Sequence, residues 1–242
     1  MPEGPSLYIL REKVLHFKDK KVIEAKGYAP IDMARMDGQP IVDIRSWGKQ
    51  LLFCFKGFAV RVHMMLFGSY RIDDHAKVNP SLSLRFENGE VNFYVSSIKY
   101  IEGDLNDTYD WRADIMADEW SARHAFSVLR EKPTMLACDA LMDQKIFSGS
   151  GNIIKNEVLY RSRIHPESRI SKIPDTKLRG MIRETHKYAF DFLRWKEAGT
   201  LSKNWKAYEQ KTCKRCDLPM KVKDTGKSRR RTYFCTNCQI KY

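Results

Sequence analysis

Residues 144–166 read Gln144-Lys-Ile-Phe-Ser-Gly149-Ser-Gly151-Asn152-Ile153-Ile-Lys155-Asn-Glu157-Val-Leu-Tyr160-Arg-Ser-Arg-Ile164-His165-Pro166. Two glycines permit a tight turn, and the chain then enters an apolar-periodic helix with Asn152 at the capping position. The N–H groups at such a helix start attract anions, although a glycine–asparagine turn can equally serve only to end one helix and begin the next. Helical spacing extends to both sides of this stretch, in Ala125-Val128-Leu129, Met135-Leu136-Leu141, Ile153-Val158-Leu159 and Leu178-Ile182-Ala189-Leu193. This predicts a helical domain over about 121–195.

Beyond it, Cys213-Lys-Arg-Cys216 and Cys235-Thr-Asn-Cys238 are separated by 18 residues. That spacing lets two knuckles present four thiolates to one tetrahedral zinc ion. Four sulfur ligands close the coordination sphere, so the expected role of Zn2+, one per chain, is to fold a hairpin. The same segment carries Lys211, Lys214, Arg215, Lys221, Lys223, Lys227, Arg229, Arg230 and Arg231, against only Asp217 and Asp224 before Cys235. Such an imbalance on one small element points to phosphate contact.

Upstream, the periodicity changes. Leu7, Leu10, Val14 and Phe17 predict a helix from about Ser6 to Lys18, and short β-type runs follow at Lys21–Ala25, Ile41–Ser46, Gln50–Phe55, Ala59–Met64, Ser69–Ile72, Ser81–Phe86 and Glu90–Val95. With Asn88-Gly89 as a hairpin turn, they read as a β-sandwich. Asp104–Asp118 is acidic and weakly patterned, which makes it the candidate linker. Cys54 and Cys138 stand alone in apolar surroundings and are expected to be buried and inert. His63, His124 and His165 lack partners at metal-ligand spacing.

The 242 residues carry Lys+Arg 43 against Asp+Glu 30, a formal charge of +13, which favours a polyanionic partner. Nucleic acid leads over an anionic membrane, because Leu51–Phe55 is cut off by Lys56 and Ala59–Phe67 contains Arg61 and His63. The N-terminus lacks the pattern of a secretory signal, so a reducing compartment is expected.

The run from Gly149 to Pro166 resembles the helix–two-turn–helix of the formamidopyrimidine-DNA glycosylase and endonuclease VIII superfamily. Together with the Met1-Pro2-Glu3-Gly4-Pro5 start, Trp47-Gly48-Lys49-Gln50-Leu51-Leu52 and the four-cysteine finger, the resemblance covers the whole chain in the right order. Gly4 looks more like the endonuclease VIII branch than the oxidised-purine branch. The implied fold is α+β and multidomain: an N-terminal β-sandwich domain with a flanking helix (1–118), a helical helix–two-turn–helix domain (119–205) and a C-terminal zinc-finger hairpin (206–242).

The resemblance implies a bifunctional glycosylase and abasic-site lyase that removes oxidised bases, pyrimidines foremost, from duplex DNA. It implies a monomer working in the cytoplasm or nucleoid of a bacterium or the nucleus of a eukaryote. Removal of Met1 would free the secondary amine of Pro2, whose adduct with C1′ is an iminium that cannot lose its charge at nitrogen. An α-amino group titrates roughly two units below lysine, so more of it is unprotonated near neutrality. Glu3 would shuttle protons or, alternatively, cap the adjacent helix. Lys49 matches the family lysine that approaches the lesion sugar and phosphate. Asn152 and Arg230 match its phosphate ligands, Arg230 being five residues before Cys235. Met65-Leu66-Phe67 resembles the wedge that fills the stack when a nucleotide is extruded, with Leu66 the principal member; core strand residues would look the same. Ser6 stands where many relatives have a glutamate, a departure that bears on lesion preference. Two rival readings are an oxidised-purine glycosylase and a non-catalytic, zinc-stabilised damaged-DNA-binding protein.

Overall fold

In a computed structural model that describes residues 2–242, the chain opens with helix α1 (Gly4–Val14). Met1, and with it the expected processing of the terminus, lies outside the described residues. Pro5 suits a first helical turn, where no intrahelical N–H bond is required. Leu7, Leu10 and Val14, at three- and four-residue spacing, are all fully buried. The helix starts earlier than Ser6 and gives way to a 3-10 turn at Leu15–Phe17, where Phe17 stacks on Phe86 at 4.3 Å.

Six antiparallel strands follow: β1 (Glu24–Lys26), β2 (Asp43–Trp47), β3 (Gln50–Phe55), β4 (Phe58–Ile72), β5 (Leu82–Phe86) and β6 (Gly89–Glu102), in the order β1-β5-β6-β4-β3-β2. The runs expected as separate strands at 59–64 and 69–72 are one 15-residue strand, β4, whose register against β6 shifts between Met64 and Ser69. The expected sandwich is therefore built from a single hydrogen-bonded sheet. Phe53 and Phe93 meet edge-on at 6.0 Å although β3 and β6 are not neighbours, and every strand contributes to one apolar core with α1.

The segment expected as a linker is ordered structure. It holds helix α2 (Leu105–Thr108) and a 3-10 turn at Trp111–Ala113, and it buries Trp111, Ala113, Ile115 and Met116. Apolar side chains hidden among its acids were the overlooked signal. By packing, the chain falls into two compact units, one ending at Asp110 and the other Trp111–Tyr242. The second contains α3 (Ala122–Arg130), α4 (Ala137–Ala140), α5 (Asn152–Ser162), α6 (Asp175–Glu197) and the hairpin of β7 (Lys221–Thr225) and β8 (Arg230–Phe234). Ser121 Oγ caps α3 by accepting the His124 N–H at 3.1 Å. Among the described residues no helix is long and apolar enough to cross a membrane.

Candidate active site and nucleic-acid interface

In the first unit, Glu3 is the N-cap residue of α1, yet its side chain makes no cap bond; its carbonyl accepts the Ser6 N–H at 2.8 Å instead. Glu3 is nevertheless only 3% exposed. Helix α1 packs on β2 and β3, and the two-residue turn joining those strands is Gly48-Lys49, with Gly48 at φ +57°. The flanking residues of this motif fix the turn. Trp47 lies 4.8 Å from the Tyr109 ring and donates from Nε1 to the Asp110 carbonyl at 3.1 Å, while the Tyr109 hydroxyl donates to Gln50 Oε1 at 2.6 Å. Lys49 is 8% exposed, not the ordinary surface lysine that its residue type suggests. Burying an ammonium and a carboxylate is costly unless each is partnered, so both are committed positions of the fold.

His63 of β4 donates from Nδ1 to the Lys49 carbonyl at 3.0 Å, because a carbonyl can only accept; Nε2 then carries the lone pair of the neutral ring. Burial holds its pKa below the ordinary 6.5, opposed by the bond to Lys49. Burial lowers His165 in the same way, opposed by Glu167. Since the unfolded chain takes up these protons at higher pH than the folded one, stability is expected to fall as pH drops below about 6.5, and to level off below the folded pKa values. Melting temperatures between pH 8 and 5 check this; His63→Gln should flatten part of the slope.

Immediately after His63 and the buried Met64, the chain turns outward. Met65, Leu66 and Phe67 are 48%, 54% and 81% exposed. The alternative of core strand residues does not hold. Cys54 is only partly buried, Cys138 is buried, and burial raises both thiols, Cys54 to about 11.

In the second unit, the helix cap differs from expectation. Gly151 is the N-cap of α5 and Asn152 the first helical residue, so no side chain caps the helix. The Asn152 amide reaches across to the hairpin instead. Its Nδ2 donates to the Arg231 carbonyl at 3.2 Å, and Oδ1 is buried without a hydrogen-bond partner among the described residues. The Arg231 carbonyl also receives Lys155 Nζ at 3.5 Å and Asn156 Nδ2 at 3.4 Å. Lys155, 1% exposed, donates to Thr232 Oγ1 at 2.8 Å, and Asn156 Oδ1 accepts the Tyr233 N–H at 2.7 Å. Strand β8 is thus clamped along the first turn of α5, which fixes the basic run Arg229-Arg230-Arg231 relative to Asn152. All three arginines are exposed, as are the other six basic residues of the segment.

The finger is anchored at three further points. Its turn fits against α4, where Asp139 Oδ1 accepts the Lys227 N–H at 2.8 Å and a Cβ on Gly226 would come within 2.2 Å of that oxygen. Glu157, fully buried, accepts the N–H groups of Lys206, Ala207 and Tyr208 on Oε1 at 2.7, 2.7 and 3.0 Å, with Arg161 on Oε2 at 3.3 Å. Tyr160 brings its hydroxyl 3.4 Å from Cys213 Sγ. The sulfurs of Cys213, Cys216, Cys235 and Cys238 lie within 4.8 Å of one another, with Cys213 and Cys238 at 3.8 Å. Tetrahedral bonds of about 2.3 Å to a central ion place sulfurs roughly 3.8 Å apart, so these four cysteines could hold a metal. The clamp residues Lys155, Asn156 and Glu157 escaped the sequence reading: a pattern of helical spacing does not register a partner some 50 or more residues away.

A model of the formamidopyrimidine-DNA glycosylase H2TH domain matches residues 113–192. Endonuclease 8-like 3 of Mus musculus is 30% identical over 205 residues, covering 81% of this chain and 34% of the mouse protein. The chain belongs to the formamidopyrimidine-DNA glycosylase and endonuclease VIII superfamily. Within the superfamily, the endonuclease 8-like branch is the one these relatives mark. The chain spans about a third of the length of the mouse relative and 39% of the Xenopus laevis one, to which it is 27% identical. Superfamily likeness also runs end to end: the formamidopyrimidine-DNA glycosylase of Shouchella clausii is 26% identical over 282 residues, 99% of each chain. A viral DNA glycosylase shares the fold at TM-score 0.85 and 18% identity, over 98% of this chain and all of the other. A Lactococcus lactis superfamily member, solved bound to DNA with an abasic site, does so at 0.86 and 20%, over 99% and 100%.

Proposed function

We propose that this chain is a DNA glycosylase with abasic-site lyase activity that excises oxidised bases, pyrimidines foremost, from duplex DNA during base excision repair. The observation that carries the reading is the burial of Glu3 and Lys49 in one unit with Pro2: two ionisable groups kept out of water, one of them next to Pro2 in the chain with its side chain making no cap bond, the other in the turn between the two strands on which α1 packs. Keeping two ionisable side chains out of water is costly and adds nothing to a protein that only grips DNA, and this argues against the non-catalytic rival. The oxidised-purine alternative differs only in lesion and is separated by excision assays on paired purine and pyrimidine lesions.

In the proposed reaction, the Pro2 nitrogen of the Met1-cleaved chain bonds to C1′ of the damaged nucleotide and the bond from C1′ to the base breaks, the base leaving with the electron pair and taking up the proton that the amine nitrogen sheds. Opening of the sugar ring, with a proton delivered to its oxygen by Glu3, gives the Pro2 iminium. The cation acidifies C2′; loss of a C2′ proton expels the 3′ phosphate and cuts the strand. Lys49 stabilises negative charge at the sugar and phosphate. Asn152 and Arg230 hold backbone phosphates, and Met65, Leu66 and Phe67 enter the vacated stack. Borohydride trapping on abasic DNA tests the reading: a covalent complex requiring Pro2 supports it, and none from protein with a mass-verified proline terminus refutes it.

We assign the four cysteines to Zn2+, which supplies a closed structural link and no reactive position. Stripping the metal with a chelator is expected to unfold the hairpin and weaken DNA binding at least tenfold, with a lower slope of log affinity against log salt because the finger's phosphate contacts are lost. Atomic absorption on the purified protein and fluorescence anisotropy at several salt concentrations check both parts.

A further inference from the structure

Val95 adopts φ +49° while 47% exposed. A β-branched residue in the left-handed region is a real outlier. It lies on β6 between Tyr94, paired with Ser69, and Ser96, paired with Met64, so Met65, Leu66, Phe67 and Gly68 together face this one residue. The kink is pinned from both sides. The fully buried Ser81 accepts the Ser96 N–H on Oγ at 3.0 Å and gives its own N–H to the Phe93 carbonyl at 2.7 Å. Ser96 Oγ donates to the Tyr94 carbonyl at 3.1 Å, closing the bend around Val95. The strands are tightly apposed here, since a Cβ on Gly68 would sit 2.9 Å from the Val95 carbonyl oxygen.

A strained backbone that holds an apolar side chain in water gains nothing for the core, and such over-determined outliers concentrate where a surface is used. We propose that Val95 is a fourth member of the wedge, and that the Met65-Leu66-Phe67-Val95 surface fills the space left by an extruded nucleotide without reading the base opposite. This rests on the glycosylase reading above. Base identity is read through hydrogen bonds to base edges, and these four side chains offer no donor and only the weak thioether acceptor of Met65. They supply shape and stacking alone, so every opposing base meets the same surface.

The test uses the full chain and duplexes carrying a tetrahydrofuran abasic analogue opposite A, C, G or T, plus one with 2-aminopurine opposite. Affinities across the four bases are expected to agree within about threefold, where a hydrogen-bonding reader would separate them tenfold or more. Val95→Gly removes the strain and the side chain together. Its melting temperature should rise by about 2–4 °C, while its preference for the analogue over undamaged duplex falls and the 2-aminopurine response shrinks. Val95→Asn tolerates the same backbone but adds a hydrogen-bonding head, and should make affinity depend on the opposing base. The inference is overturned if wild type discriminates tenfold among opposing bases, shows no preference for the analogue, or if Val95→Gly melts higher with binding and fluorescence unchanged. The analogue has no leaving group, so failure of the glycosylase reading appears separately, as absence of borohydride trapping in protein that binds normally.

Discussion

Protein that retains Met1 is expected to form no borohydride-trapped complex with abasic DNA. The Pro2 nitrogen would then be a tertiary amide, its lone pair delocalised into the carbonyl, and no iminium can form on it. Loss of a nucleophile that acts as part of a unit costs about a thousandfold or more in rate, so the effect needs no fine measurement. Pro2→Gly gives an instructive intermediate. It still permits methionine removal and leaves a primary amine, but the resulting imine can deprotonate and lose the charge that drives elimination. Trapping should survive weakly, with strand cleavage falling further than trapping does. Glu3→Gln, which keeps size and burial, should spare DNA affinity while slowing turnover. Together these outcomes separate a catalytic corner from a merely well-packed one, with mass analysis of each N-terminus as the control.

Glu157→Ala is expected to be the most destabilising single change in the second unit. Its carboxylate gathers three successive N–H groups at Lys206, Ala207 and Tyr208, along with Arg161, in a fully buried position. Truncation leaves those donors unsatisfied and a largely enclosed guanidinium without this partner, a loss of about 3–5 kcal/mol. At the size of this chain that lowers the melting temperature on the order of 10 °C. The segment held is the one that enters the finger, so release of the metal should accompany the first phase of unfolding. Glu157→Gln keeps one acceptor oxygen and should recover part of the loss. Thermal melts followed by both circular dichroism and a zinc-sensitive dye measure the two effects; equal stability of Glu157→Ala and wild type would show that the anchor is dispensable.

What could be read from the residues alone depended on whether the physics was local. The cysteine pairs declare themselves because metal coordination imposes its own spacing, and α3, α5 and α6 emerge through apolar periodicity. Boundaries were weaker: α1 begins at Gly4, because Pro5 is welcome in a first turn although apolar spacing starts only at Leu7. The Met65-Leu66-Phe67 run could not be placed, since an apolar run in a strand has the same composition whether it faces a core or solvent. Its exposure follows from a register shift that no single strand encodes. Lys49 is ordinary by type, and its burial goes with a turn whose flanking residues Trp47 and Gln50 are tied to Tyr109, far along the chain. Asn152 reads as a cap because asparagine favours caps; a carbonyl 79 residues further along the chain draws its amide elsewhere.

That carbonyl, on Arg231, takes Asn152, Lys155 and Asn156 at 3.2, 3.5 and 3.4 Å. An oxygen with two lone pairs cannot serve three donors at full strength, so each contact is long and shared. The arrangement has slack built into it: deleting one donor lets the remaining two shorten. Single substitutions should therefore look mild and their combinations disproportionately severe. A chain under mutational drift can pass through any one of these losses and still keep its grip, and the joint fails only when a second goes.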